Sequence, residues 1–229
     1  MRIAAQLWTV RELLREPGSL GAVLSGIRKI GYEGVELLGE FEASAGLVSC
    51  AAHVSLTEIV ADLDAVAARC ISWGCKYVVV PSLPAEYHSP EGFRRFAAEA
   101  AEIADALRPR GLELAYHNHD FELPIGLDLI FAGGLKAELD TYWLKRGGDD
   151  PVAWIQRLSG RVPLVHLKDM SAEGGQTEVG LGVLDWPAIL AACRDSGTEW
   201  LVVEQDETDG DPLKSLEISY RNLTGLLAG

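Results

Sequence analysis

A chain of 229 residues, 48% of them hydrophobic, is long enough to bury a substantial core, and a formal charge of −14 argues against a nucleic-acid partner held by clustered Lys and Arg. No stretch approaches the roughly 18 apolar residues of a membrane span, and charged residues interrupt MRIAAQLWTVRELL too early for a secretory signal. Cys50, Cys70, Cys75 and Cys193 form neither a dense disulfide framework nor a C-x-x-C knuckle, so they read as reduced, mostly buried thiols of a cytoplasmic protein.

The first predicted strand is IAAQLW (3–8). Leu20, Val23, Leu24, Ile27 and Ile30 follow at helical spacing, with Gly31 as the stop. GVELL (34–38) and LVSCAAHV (47–54) are the second and third strands. Only GEFEASAG separates them, whereas a parallel crossover takes about a dozen residues, so the second helix is predicted to be missing or a single turn. Ser55 and Glu58 make a capping box for one helix carrying Ile59, Val60, Leu63, Val66, Ala67 and Cys70, closed by Gly74. KYVVVPS (76–82) is the fourth strand. Ser89-Pro90 opens a helix carrying Phe93, Phe96, Ala100, Ile103 and Leu107, stopped by Gly111. LELAYHN (112–118) is the fifth strand, and ELPIGLDLIFAGG after it leaves room for only a shortened fifth helix. LKAELD (135–140), a helix opening at Asp150-Pro151, VPLVHLKD (162–169), a helix stopping at Gly197 and WLVVEQD (200–206) complete the series.

Eight strands alternating with helices specify parallel pairing through crossovers, and near-equal units favour a closed (β/α)₈ TIM barrel over an open doubly wound sheet. No G-x-G-x-x-G follows the first strand. Pro and Gly are scattered rather than pooled, which predicts one domain over residues 1–229. The thin second and fifth connections leave barrel wall uncovered, and a homodimer contact is one way to cover it.

In such a barrel chemistry sits at the C-terminal strand ends. There the chain places Gln6 and Trp8, Glu36, His53, then His117, Asn118 and His119, Asp140, then His166, Lys168 and Asp169, and finally Glu204, Gln205 and Asp206. Residues two apart share a strand face, so His117 points with His119, His166 with Lys168 and Glu204 with Asp206. One such residue alone is more often a cap or a turn group. Four consecutive strands delivering His, Asp, His and Glu to one rim instead suit one divalent ion, among Mn²⁺, Mg²⁺, Co²⁺, Fe²⁺ and Zn²⁺. Glu138 either faces into the barrel like Asp140 or is a solvated end. His53 is either a pocket donor or a core residue, and His88 reads as a loop residue before a cap. Trp8 and Trp143 make either a platform for a sugar ring or ordinary packing.

GYEGVELLG, AYHNHDFEL, ELDTYWLKRGGDDP, GRVPLVHLKDM, EVGLGVLDW and WLVVEQD, in this order and over nearly the whole chain, resemble the xylose isomerase-like TIM barrels known as sugar phosphate isomerases/epimerases. Relatives include ketose 3-epimerases, hydroxypyruvate isomerase and inosose dehydratase. The resemblance implies one divalent metal held by Glu, Asp, His and Glu from strands five to eight, and Asp140, His166 and Glu204 match that pattern. His117, in Tyr-His-Asn, stands where the epimerases carry Glu, and Trp143 stands where they carry a substrate-contacting His. His117 then completes the metal set and His119 meets substrate or carries a proton, or the two exchange roles; in the plain alternative Asn118 and His119 bond backbone.

The implied activity is a sugar isomerase or epimerase acting on a small sugar or keto sugar by proton abstraction next to a metal-bound carbonyl. Glu204 is the principal base, Lys168 steadies negative charge, and a protonated His119 or His117 returns a proton. Trp8, Glu36, His53 and Trp143 are the substrate-binding candidates. The alternatives are a lyase of the inosose dehydratase or keto-glycoside type and a non-catalytic sugar-binding barrel. Neither a membrane nor a nucleic acid is an expected partner, and no glycine-rich loop supports a phosphorylated substrate.

Overall fold

Near-continuous apolar runs such as YVVV (77–80) and WLVV (200–203) are buried along their whole length, the pattern of parallel strands covered on both faces. The computed structural model describes residues 1–39 and 45–229. In it β1 (Arg2–Gln6), β2 (Gly34–Leu38), β3 (Val48–His53), β4 (Tyr77–Val80), β5 (Glu113–His117), β6 (Lys136–Asp140) and β7 (Leu164–Leu167) pair in parallel around a closed barrel. A small antiparallel hairpin, β8 (Asp169–Met170) and β9 (Gln176–Thr177), precedes the last barrel strand, β10 (Trp200–Val203). Closure joins β10 to β1, with Arg2 level with Trp200. Gly34 permits it. A Cβ there would stand 2.7 Å from the Val48 carbonyl oxygen and 2.9 Å from the Trp200 ring.

The helices are α1 (Arg11–Leu14), α2 (Leu20–Ile30), α3 (Leu56–Ala61), α4 (Leu63–Ser72), α5 (Pro90–Leu107), α6 (Gly126–Phe131), α7 (Thr141–Arg146), α8 (Pro151–Arg157), α9 (Trp186–Asp195) and α10 (Pro212–Ala228). Their apolar faces build the main core against the outside of the barrel, with Leu24, Ile27 and Phe96 among its fully buried members. A smaller cluster, including Ala4, Ala51, Tyr77, Ala115 and Val202, fills the barrel interior. The expected caps form: Ser55 Oγ accepts from the Glu58 N–H, Ser89 Oγ from Gly92 and Asp150 Oδ1 from Val152, at 3.0 to 3.2 Å.

Three features depart from the sequence reading. The single helix expected after β3 is two, because Asp62 takes an extended backbone (φ −156°, ψ 81°) and caps α4 by accepting from the Ala65 N–H. The apolar period restarts there, leaving Val60 65% exposed. The first strand ends at Gln6, whose side chain accepts from the Trp8 N–H and starts a 3₁₀ turn over Leu7–Val10, so Trp8 stands in the barrel mouth, 39% exposed. The β8–β9 hairpin had no signal of its own.

The fifth connection is thin as expected, with α6 spanning six residues against 18 for α5. A cleft of about 290 Å³, lined by Ala97, Ala101, Gly133 and Leu135 among others, lies beside it. The expectation for the second helix falls largely on residues 40–44, outside the described residues. Among the described residues no helix is long and apolar enough to cross a membrane.

Candidate metal centre

Strand register levels the rim residues. Asp140 of β6 pairs with His166 of β7, which pairs in turn with Val202 of β10, two residues before Glu204. One ligand atom from each of His117, Asp140, His166 and Glu204 lies within 4.8 Å of the others, and all four residues are buried. His117 Nε2 is 3.7 Å from Asp140 Oδ2, and His166 Nδ1 is 2.9 Å from Glu204 Oε2. The four expected ligands therefore converge. Two carboxylates and two imidazoles are donors that a divalent ion accepts, and Asp140 Oδ2 is buried without a hydrogen-bond partner among the described residues, so the site fits such an ion.

Lys168 shares this space. Only 2% exposed, its Nζ stands 3.3 Å from Asp140 Oδ2, 2.7 Å from Glu204 Oε2 and 3.0 Å from Asp206 Oδ2. Gln176 on β9 clamps Asp206 by donating to its carboxylate at 2.5 Å and accepting its backbone N–H at 2.7 Å. Burial opposes ionisation of both Glu204 and Lys168. The Lys168 and His166 cations nonetheless hold the Glu204 carboxyl well below the usual carboxylate range, and the carboxylates of Asp140, Glu204 and Asp206 hold the ammonium above the usual lysine value. Burial pushes Asp140 up to about 6 against the pull of Lys168.

His119 lies just past β5, with its ring centroid 5.1 Å from that of His117 and its Nδ1 buried without a partner among the described residues. Burial, then the Lys168 charge, pushes its pKa down to about 4. That shift favours the neutral imidazole over the protonated donor. His117 is shifted in the same direction, burial and then His166 holding it well below the usual histidine range. Asn118 does bond backbone, its Oδ1 accepting from the Asp140 N–H at 2.9 Å.

Above the quartet opens a cavity of about 500 Å³ lined by Trp8, His53, His117, His119, Lys168 and Glu204 with neighbours. A second cavity of about 750 Å³ shares Trp8 and Asp206 with it and adds Arg11, Tyr142, Trp143 and Arg146. Trp8 and Trp143 are thus brought to the mouth, and His53 reaches the cavity. Glu36 does not; it is fully buried deeper in the barrel, where its Oε2 accepts from Gln6 Nε2 at 2.6 Å and faces His166 Nε2 at 2.6 Å. Glu138 also faces inward and is fully buried. His88 is a loop residue, stacked on Phe121.

Residues outside the expected set hold the site in place. Asp169, fully buried, collects the loop beyond β8, and Glu122 accepts the His119 N–H at 2.7 Å and bonds the Tyr116 hydroxyl. The only sequence sign of Glu122 was an acid placed three residues beyond His119. Burial lifts its carboxyl to about 7, although the Tyr116 and His119 hydrogen bonds favour the charged form. The folded state therefore holds a proton that the unfolded chain releases near pH 4.5, so this group's contribution to stability falls as pH rises from about 4.5 to 7 and is level above. Glu122→Gln cannot titrate. Urea unfolding across that window should show the variant gaining up to about 3 kcal/mol relative to wild type as pH rises. Parallel profiles would contradict this assignment.

The xylose isomerase-like TIM barrel family model matches residues 46–223. A search of curated proteins finds no match. Among solved structures, a sugar phosphate isomerase/epimerase from Parabacteroides distasonis is 20% identical with a TM-score of 0.84, covering 97% of each chain. The IOLI protein, crystallised with a zinc atom, is 15% identical with a TM-score of 0.77, over 100% of this chain and 98% of that one. The probable 3-DHS dehydratase AsbF from Bacillus anthracis is 15% identical with a TM-score of 0.77, over 98% and 99%. With a closed eight-stranded parallel barrel and a family match over most of its length, the chain belongs to the xylose isomerase-like TIM barrel family.

Proposed function

We propose that the protein is a metal-dependent isomerase or epimerase of a small sugar or keto sugar. The observation that carries this reading is the convergence of His117, Asp140, His166 and Glu204 within 4.8 Å beneath a cavity walled by Trp8, His119 and Lys168. The isomerase/epimerase named among the structural relatives and the zinc in the IOLI protein support it. A divalent ion in this quartet, whether Mn²⁺, Mg²⁺, Co²⁺, Fe²⁺ or Zn²⁺, supplies Lewis acidity that makes a C–H beside a carbonyl more acidic.

The chain's own groups do the rest. Glu204, ionised, takes the proton. The Lys168 ammonium stabilises the negative charge that develops on oxygen, and neutral His119 offers a hydrogen bond or exchanges a proton from the other side of the cavity. The indoles of Trp8 and Trp143 present flat apolar faces to a sugar ring, and His53 reaches it as a polar contact. Substrates are then small carbohydrates in the cytoplasm, with neither nucleic acid nor membrane as partner, in keeping with the −14 charge.

A second reading, elimination rather than proton return, is favoured by the adjoining 750 Å³ cavity, which offers room for a leaving group. A panel of ketoses, inososes and 3-keto-glycosides incubated in D₂O separates the outcomes. Deuterium uptake without loss of water or aglycone, abolished by chelation and restored by a divalent ion, is the expected result. Loss of water or aglycone would establish the lyase. Absence of both across the panel would leave a sugar-binding barrel.

A further inference from the structure

Beneath the quartet the barrel interior carries another set of ligand-type atoms. One ligand atom each from His53, His117, Glu138 and His166 lies within 4.8 Å of the others. Glu138 Oε2 stands 2.8 Å from His53 Nε2, 3.0 Å from His117 Nδ1 and 3.1 Å from His166 Nε2. Glu36 Oε2 stands 3.2 Å from His53 Nε2 and 2.6 Å from His166 Nε2. His166 is the hinge of the arrangement. Its Nδ1 faces Glu204 in the outer set and its Nε2 faces the two inner carboxylates, so both ring edges meet anionic oxygen.

A second observation points the same way. Glu36 and Glu138 are fully buried, and each keeps an Oε1 with no hydrogen-bond partner among the described residues. Two carboxylates side by side, away from water and incompletely bonded, need protons or a cation to balance them. Donors about 2.1 Å from one ion stand roughly 3.4 Å apart in a tetrahedron. The spacings here run from 2.6 to 3.2 Å, so an ion has to open them by about 0.2 to 0.8 Å, displacing the ring protons that now hold the shortest pairs together.

We propose that the inner set is a second divalent-cation site, with Glu36, His53 and Glu138 as its own ligands and the His166 ring shared with the outer one as an imidazolate, both ring protons being released to solvent as the two ions bind. His117 ligates outward through Nε2 while its Nδ1–H donates to Glu138, fixing the ring as outer carboxylates fix metal-bound histidines. The inference concerns an ion count, and it stands whether the outer site isomerises, eliminates or only binds.

The test uses full-length protein stripped by chelation and titrated with Co²⁺, with bound metal counted by equilibrium dialysis and elemental analysis. Wild type should bind two equivalents. Glu138→Gln and His53→Gln should each bind one, and Asp140→Asn should keep the inner one. Circular dichroism and melting establish folding, and near-isosteric Glu138→Gln carries the count should His53→Gln fail to fold. With Mn²⁺, the second equivalent should broaden the six-line electron paramagnetic resonance signal of the first, because a bridging imidazolate couples the spins. One equivalent in wild type, two in both inner variants, or a second equivalent with an isolated-ion spectrum would overturn the proposal. The first of these results would make Glu36 and Glu138 orienting carboxylates for the outer ligands.

Discussion

Glu204→Gln should lower kcat for the proposed proton transfer about 10³-fold, the middle of the range for losing a positioned general base. The substitution preserves volume, and Gln retains one oxygen toward His166 Nδ1, now 2.9 Å from the carboxylate. What it removes is a charge. Lys168 and His166 hold the carboxyl well below the usual carboxylate range despite its burial, which favours the charged form that can accept a proton. The measurement is substrate deuterium exchange in single turnovers at saturating divalent metal. A residue acting only as a ligand would weaken ion binding, and excess metal would then restore the rate to within about tenfold of wild type. A loss that persists at saturation separates the base from the ligand.

Asp169→Ala should cost about 4 kcal/mol of stability, read as a shift in urea midpoint at constant slope. The carboxylate is fully buried, and five donors meet it: the backbone N–H groups of Met170, Gly180, Gly182 and Leu184, and the Trp186 indole at 2.6 Å. Removing it leaves several donors desolvated with no acceptor. Gly182 is part of the same construction, because a Cβ there would fall 2.2 Å from the Met170 carbonyl oxygen and 2.3 Å from Asp169 Oδ1. The hairpin held by this anchor carries Gln176, which clamps Asp206 against Lys168. Asp169→Asn retains one acceptor and should fall between the two. Equal stability of Asp169→Ala and wild type would show that water replaces the carboxylate freely in that loop.

The sequence by itself determined the architecture and the location of the rim residues. Runs such as YVVV and WLVV announce strands buried on both faces, Ser55, Ser89 and Asp150 announce helix starts, and the alternation leaves few topologies open. Because a barrel gathers its strand ends, His117, Asp140, His166 and Glu204 were readable as neighbours without coordinates. The break at Asp62 was less legible, since an N-cap in mid-period competes with an apolar repeat that runs across it. Depth and pairing belonged to the tertiary structure alone. Whether Glu36 and Glu138 face water or the imidazoles of His53 and His166 depends on register around the closed sheet, which brings Glu36 against His166 across 130 residues of chain. Whether His119 is charged depends on burial and on Lys168, contributed by another strand end. Local spacing encodes which side of a strand a residue takes. Only closure decides which side chains from opposite walls meet on the axis, and that meeting sets the electrostatics of the barrel interior.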